Sequence, residues 1–253
     1  MAEEVYSFSR LSAFHQCKYA YYKTYYEHSP QVDNAFALTG SLVHELCEKY
    51  ANGEVELETL ADLFDWEFDT QVPIAFPKNK YCDLRQVYYD STMEFFRTWE
   101  GYEGCKILGV ESEFKIPMRD YKLRGFIDIS FVDEAGRYVL RDYKSSKTIS
   151  KKDLEHKVRQ PLLYSLYFKE AYGRYPDVLQ FYTFRNPDKR VVEIPFSEDA
   201  LTDAIVWAND TVDAIRQEWE YEKSPEAFYC LSLCGHRENC KWGKPFMHYK
   251  KKG

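Results

Sequence analysis

The densest chemistry in this 253-residue chain lies in LRGFIDISFVDEAGRYVLRDYKSS, residues 123–146. Two runs of strand-like alternation flank Glu134-Ala135-Gly136, a three-residue hairpin loop with glycine where positive φ is needed. That loop pairs Asp133 with Arg137. The register then sets Asp128 directly opposite Asp142, and Phe126 opposite Lys144, on one sheet face. Two carboxylates opposed in this way repel, and apolar neighbours sharpen the repulsion. A divalent cation reverses the sign, because hard oxygen ligands can share one ion. Lys144 points to the same side, where it can meet an anionic substrate. A register slipped by one would instead pair Asp128 with Arg141 in a plain surface salt bridge.

Other residues could join such a site. His44 sits on a helical run among apolar neighbours, where a histidine is ordinarily a satisfied core residue. Opposed carboxylates ask for a further ligand, and neutral imidazole suits Mg²⁺ or, better, Mn²⁺. Glu111 and Glu113 share one parity of a strand and read first as surface acids. Gln160 and Tyr164 are four apart and so lie on one helix face. Lys144, Lys147, Lys151 and Lys152 form a basic stretch, and three lysines precede the terminal Gly253.

The seven cysteines are an odd number without an export signal, which argues for a reducing compartment. Cys47, Cys82 and Cys105 are scattered and read as packing thiols. Cys230, Cys234 and Cys240 crowd together, and with Cys17 they make four thiols. Four thiolates suit zinc and iron–sulfur alike. Nearby His236, Arg237 and Lys241 read as surface charge or as contacts to nucleic acid.

The elements that must position these groups follow from periodicity. Helices are expected from Ser9 through Tyr21, from Gly40 to Tyr50 with a stop at Asn52-Gly53, over Leu57–Phe68 and over Asp83–Trp99. The period then changes to two over 107–117, 122–133 and 137–144. A helix from Asp153 to Ala171, strands over 178–184 and 190–195, and a helix from Glu198 to Tyr221 complete the pattern. That order predicts an α/β (α+β) fold with a central mixed sheet flanked by helices. No linker or repeat divides the chain, so one domain is expected: a mainly helical portion over 1–105, a sheet core over 106–195, and a helix with a Cys-rich tail over 196–253. The net charge of −7 argues against a nonspecific nucleic-acid coat but not against a local basic groove. No targeting signal or membrane-spanning run is visible, so a cytoplasmic protein is expected. Aromatic residues reach 17%, and Tyr21, Tyr22, Tyr25 and Tyr26 could stack bases of a single strand, although a Tyr-rich helix is more often core.

Gly125-Phe126-Ile127-Asp128 followed by Asp142-Tyr143-Lys144 resembles the G-x-x-D … (D/E)-x-K signature of PD-(D/E)XK nucleases. It is most similar to their RecB-like branch, with its CRISPR-associated exonucleases, AddB nuclease domains and phage-encoded homologues. Gly40-Ser-Leu-Val-His44 matches that family's G-x-x-x-H helix, and Gln160-Pro-Leu-Leu-Tyr164 its Q-x-x-x-Y helix. Cys17 with Cys230, Cys234 and Cys240 resembles the four-cysteine pattern of the clustered members. The likeness runs from Ser9 to Cys240. It departs at Ile127, where proline is common, and in the C-x3-C-x5-C spacing, where C-x2-C-x5-C is commoner. The resemblance implies a restriction-endonuclease-like core that hydrolyses DNA, single strands or ends, to 5′-phosphate and 3′-hydroxyl. It implies that Asp128, Asp142, His44 and the Tyr143 carbonyl hold Mg²⁺ or Mn²⁺, with Glu111 as an outer or second-ion ligand and Glu113 as its fallback. Asp128, Asp142 and Lys144 become the catalytic set. Gln160, Tyr164, Lys151 and Lys152 become nucleic-acid contacts, and the four cysteines hold a [4Fe–4S] cluster. Recombination or replication proteins are the implied partners. A binding module with a degenerate site and a structural zinc protein remain the alternatives.

Overall fold

A computed structural model of the chain describes residues 4–187 and 189–240; the basic tail and Lys241 lie outside the described residues. β1 (Val5–Tyr6) leads into α1 (Phe8–Gln16) and α2 (Lys18–Tyr25). The first helix is therefore not continuous through Tyr21. It breaks at Cys17, whose backbone is extended at φ −163° and ψ 107°. Ser7, not Ser9, is the cap: its hydroxyl accepts the Arg10 amide at 3.1 Å. α3 (Ala35–Ala51) begins before Gly40 because the Asn34 side chain accepts the Ala37 amide at 2.9 Å. It stops at Asn52-Gly53 as expected, with Gly53 at φ 73°. α4 (Leu60–Gln71) and α5 (Leu84–Thr98, capped by Asp83) complete the N-terminal helices.

β2 (Lys106–Pro117), β3 (Lys122–Val132) and β4 (Tyr138–Lys144) then meander antiparallel. The single helix expected from Asp153 to Ala171 is two, α6 (Lys151–Lys157) and α7 (Arg159–Tyr172). Ser150 starts α6 by accepting the Asp153 amide at 3.1 Å. Pro161 falls in the first turn of α7, where its missing amide proton is not needed. β5 (Val178–Thr183), β6 (Val191–Pro195) and α8 (Glu198–Gln217) follow; α8 ends short of Tyr221.

The strands make one mixed sheet in the order β1-β3-β4-β5-β6, with β2 on the other edge of β3. β1 runs parallel to β3 and β4 parallel to β5. Every residue of β5 is buried, as a central strand covered on both faces should be. One face packs a core holding Leu11, Phe14, Tyr21, Leu163, Phe168 and Val212, from α1, α2, α7 and α8. The other packs Leu46, Phe64, Phe68, Phe95 and Phe96, from α3, α4 and α5. The chain is thus mixed α/β, with a central mixed sheet between helices. Among the described residues no helix is long and apolar enough to cross a membrane.

Candidate active site

The β3–β4 hairpin closes as its loop predicts. The Gly136 amide donates to the Asp133 carbonyl at 2.9 Å, and Gly136 takes φ 78°. The register runs Val132↔Tyr138, Ser130↔Leu140 and Ile129↔Arg141, so the slipped alternative is not formed. Pairing then stops. The Asp128 carboxylate accepts the Tyr143 amide at 2.7 Å, taking a bond that a continuing ladder would have made to backbone. The expected pairing of Phe126 with Lys144 is therefore absent, and Phe126 is 44% exposed. Strand alternation also turns over here: Leu123 and Ile127 face one core, Ile129 and Phe131 the other. Glu111 stands across β3 from Asp128 with φ 40°, a left-handed conformation that a non-glycine residue adopts at a cost.

These distortions bring three side chains together. His44 Nδ1 lies 3.5 Å from Asp128 Oδ2 and 3.9 Å from Glu111 Oε1. Ligand atoms of His44, Glu111 and Asp128 all fall within 4.8 Å of one another, the one such trio among the described residues. Glu113 does not join them; it binds Arg124 at 2.8 Å. Asp142 stands beside the trio, and its Oδ2 is 2.6 Å from Lys144 Nζ. That oxygen is buried and makes no well-directed hydrogen bond. A buried carboxylate oxygen of this kind is stabilised by positive charge, which the Lys144 ammonium supplies. It fits a site built to take a cation.

The charges say the same. Burial and the Asp142 charge raise the Asp128 carboxyl well above its usual range, against the pull of His44, the Tyr143 amide and Lys144. Burial alone would lower His44, but Asp128, Glu111 and Asp142 outweigh it and lift the imidazole to about 9. A divalent ion would take the place of those protons.

Lys144 is held from two sides, donating to Gln160 Oε1 at 3.2 Å as well as meeting Asp142. Gln160 is bonded in turn to the Tyr164 hydroxyl. Tyr164 is 5% exposed and packs over Gly125: a Cβ there would stand 2.7 Å from Tyr164 Cζ and 2.6 Å from Phe114 Cζ. The glycine of one motif and the tyrosine of another thus fit each other. The Tyr143 ring is buried, packs edge to face on the His44 imidazole at 5.6 Å, and its phenol is bonded to the Tyr102 hydroxyl.

Sequence reasoning missed Lys157, whose ammonium is pushed down by burial and the Lys144 charge and raised by Asp153 and Asp142. It precedes Gln160 by three residues, but the break at Val158 hides that spacing. Lys151 and Lys152 are exposed at the start of α6, where a helix dipole disfavours cations. Tyr21 is fully buried, so it is core and not a stacking platform.

Outside this site, Cys17, Cys230, Cys234 and Cys240 line one small cavity with Tyr229. Burial raises the Cys230 and Cys234 thiols, and neighbouring cysteines raise them further. No three of the four have sulfurs mutually within 4.8 Å. A tetrahedral zinc would need them about 3.8 Å apart, from bonds of about 2.3 Å. His236 is buried against Thr24 at 2.9 Å, and Arg237 donates to the Val32 and Asp33 carbonyls. His236 clasps the tail to α2 and Arg237 clasps it to the segment after α2, so neither is free surface charge.

A profile of the PD-(D/E)XK nuclease superfamily matches residues 5–241. No curated protein matches the chain. Among solved structures, a candidate exonuclease from Eubacterium rectale is 12% identical with a TM-score of 0.54, over 94% of this chain and 88% of its own. The crystal structure of SSO0001 is 15% identical with a TM-score of 0.41, over 95% of this chain and 87% of its own. At such identity the first likeness is one of fold.

Proposed function

The chain belongs to the PD-(D/E)XK nuclease superfamily, and from that footing we propose that it is a metal-dependent DNA exonuclease acting on single strands or DNA ends, in recombination, repair or phage DNA processing. The observation that carries this reading is the meeting of His44, Glu111 and Asp128 where β3 and β4 part, beside Asp142 and Lys144. His44, Glu111, Asp128 and Asp142, with the Tyr143 carbonyl, hold Mg²⁺ or Mn²⁺. The ion, when bound, supplies a Lewis acid for the scissile phosphate and a water of lowered pKa. Lys144, fixed between Asp142 and Gln160, offsets charge on the phosphate and orients it. Tyr164 acts through Gln160, holding the amide where Lys144 can use it. Lys151 and Lys152 track the DNA backbone from the start of α6.

The whole chain works as one nuclease unit. The four cysteines hold a [4Fe–4S] cluster that staples the start of α2 to the tail, and its binding free energy is folding free energy. Support comes from their shared cavity and from a spacing too open for one zinc.

Digestion of end-labelled linear and of circular single-stranded DNA with Mg²⁺ or Mn²⁺ tests the activity. Loss of mononucleotides or short fragments from linear DNA, with circles intact, is the expected result. Cutting of circles at the same rate would make the protein an endonuclease.

A further inference from the structure

β3 is left unpaired along part of one edge. β1 meets it only at Lys122 and Leu123, and β4 only from Ile129 onward. Of the residues between, Arg124, Gly125, Phe126 and Asp128 border a cavity of about 640 Å³ in the fork of the sheet. Asp128 and Gln160 line it, so it opens directly onto the candidate active site. Its other walls are of a different kind. Arg10, Tyr25, Arg124 and Phe126 supply two guanidinium groups and two aromatic rings.

The details favour a nucleotide as occupant. Phe126 is 44% exposed, unusual for phenylalanine, with the Arg124 guanidinium 5.5 Å over its ring. Glu113 neutralises Arg124, whereas Arg10 donates to the neutral Tyr21 hydroxyl at 3.1 Å and the Val5 carbonyl at 2.9 Å. Its charge is therefore open to an anion, and the Tyr6 and Tyr25 rings at 4.3 and 4.9 Å hold it flat. A cavity of this size lies within the roughly 300–1,000 Å³ typical of small-ligand sites. A ring for stacking and a cation for phosphate, beside a metal-ligand cluster, are the elements of single-strand recognition. A base within a duplex is stacked and paired, and would have to be extruded before it could enter.

We infer that this fork is a pocket for one unpaired nucleotide adjoining the scissile phosphate, its base on Phe126 and its phosphate toward Arg10. The inference rests on the nuclease reading and adds to it the side chains that select an unpaired strand. The pocket selects single-stranded DNA and frayed ends over intact duplex, and it anchors the strand at a base that it does not read by sequence.

The test is binding, not turnover, so that it fails separately from the nuclease reading. Fluorescence anisotropy of a labelled dodecathymidylate is measured in EDTA with wild-type protein, Phe126→Ala and Phe126→Tyr. Stacking of one base predicts about 5- to 150-fold weaker binding for Phe126→Ala and near-wild-type binding for Phe126→Tyr. An abasic residue walked along the oligonucleotide should weaken wild-type binding at one position, and at that position should cost Phe126→Ala nothing further. Duplex of the same length should bind the wild type no more tightly than the single strand binds Phe126→Ala. Equal affinities of Phe126→Ala and wild type, or no sensitive position, would overturn the pocket. Failure to hydrolyse DNA with either ion, alongside the expected anisotropy, would remove the nuclease reading and leave the pocket standing.

Discussion

Replacing Gly125 with alanine adds one methyl group where two motifs meet, and the structure sets its cost. The new Cβ would stand 2.6 Å from Phe114 Cζ, and 2.7 and 2.8 Å from Tyr164 Cζ and its hydroxyl oxygen. Favourable carbon contacts lie at about 3.5–4.0 Å, so each ring must yield by about 1 Å. Neither ring has room. Phe114 and Tyr164 are 3% and 5% exposed, pack edge to face at 4.8 Å, and Phe114 also stacks on Tyr167 at 5.1 Å. Overpacking of this kind costs about 1–3 kcal/mol. Removing a strand glycine offsets about 0.5–1 kcal/mol of that. A net loss of about 1–2 kcal/mol is expected, and with a slope of about 1–3 kcal/mol/M it lowers the urea midpoint by about 0.3–2 M. Phe114→Leu removes the nearest obstructing atom, so it should be less harmful in the Gly125→Ala background than alone. Activity should fall further than stability, because a displaced Tyr164 carries Gln160 away from Lys144. A midpoint equal to wild type, or strictly additive effects of the two changes, would refute this account of why glycine stands there.

The protons on the site give a second expectation. With His44 at about 9 and Asp128 raised, Mn²⁺ must displace protons at neutral pH, so its affinity should rise with pH. Calorimetry in two buffers of different ionisation enthalpy should detect release of about one proton or more, and none would be a contradiction. The sign for stability follows from a raised histidine pKa. In EDTA, any stability advantage of wild type over His44→Gln should be full below about 6.5 and vanish as pH rises through about 9. For the cysteines, anaerobically prepared protein should be brown. Changing Cys17, Cys230, Cys234 or Cys240 to serine should bleach it and lower its melting temperature, while Cys47, Cys82 or Cys105 to serine should keep the colour. A colourless protein with one bound zinc would replace the cluster by zinc. Finally, Lys151→Ala with Lys152→Ala should shallow the salt dependence of single-strand binding by about 1.4 in log–log slope, two contacts at about 0.7 each. An unchanged slope would place the backbone track elsewhere.

What could be read beforehand was local or periodic. The hairpin register followed from three residues, Glu134-Ala135-Gly136, because a short loop leaves a strand pair no freedom to slip. The helix stop at Asn52-Gly53 was legible in the same local way. Three features were not. β1 is two residues long, too short for any period, yet it makes the fork beside the active site. The turnover of β3 at Asp128 depends on a left-handed Glu111 on another strand, and nothing near Glu111 in sequence asks for it. The break at Cys17 falls inside an unbroken apolar pattern of Leu11, Phe14 and Tyr21. Its surroundings there are long-range: Cys17 lines one cavity with three cysteines more than 200 positions later. Phe126 illustrates the same limit, since alternation from the hairpin pairs it with Lys144, whereas the Asp128–Tyr143 bond ends the ladder first.

We propose that the carboxylates at the parting of β3 and β4 hold the divalent ion on which DNA hydrolysis by this chain depends. This dependence is tested most directly by following 5′-labelled single-stranded DNA with wild-type protein and Asp142→Asn, in Mn²⁺ and in EDTA. Asparagine keeps the shape of Asp142 but removes the charge that meets Lys144 and faces Asp128. The account predicts hydrolysis by wild type in Mn²⁺, none in EDTA, and the EDTA background for Asp142→Asn in either, with the variant still folded by circular dichroism. Turnover by folded Asp142→Asn near the wild-type rate in Mn²⁺, or hydrolysis by wild type that persists in EDTA, would contradict it.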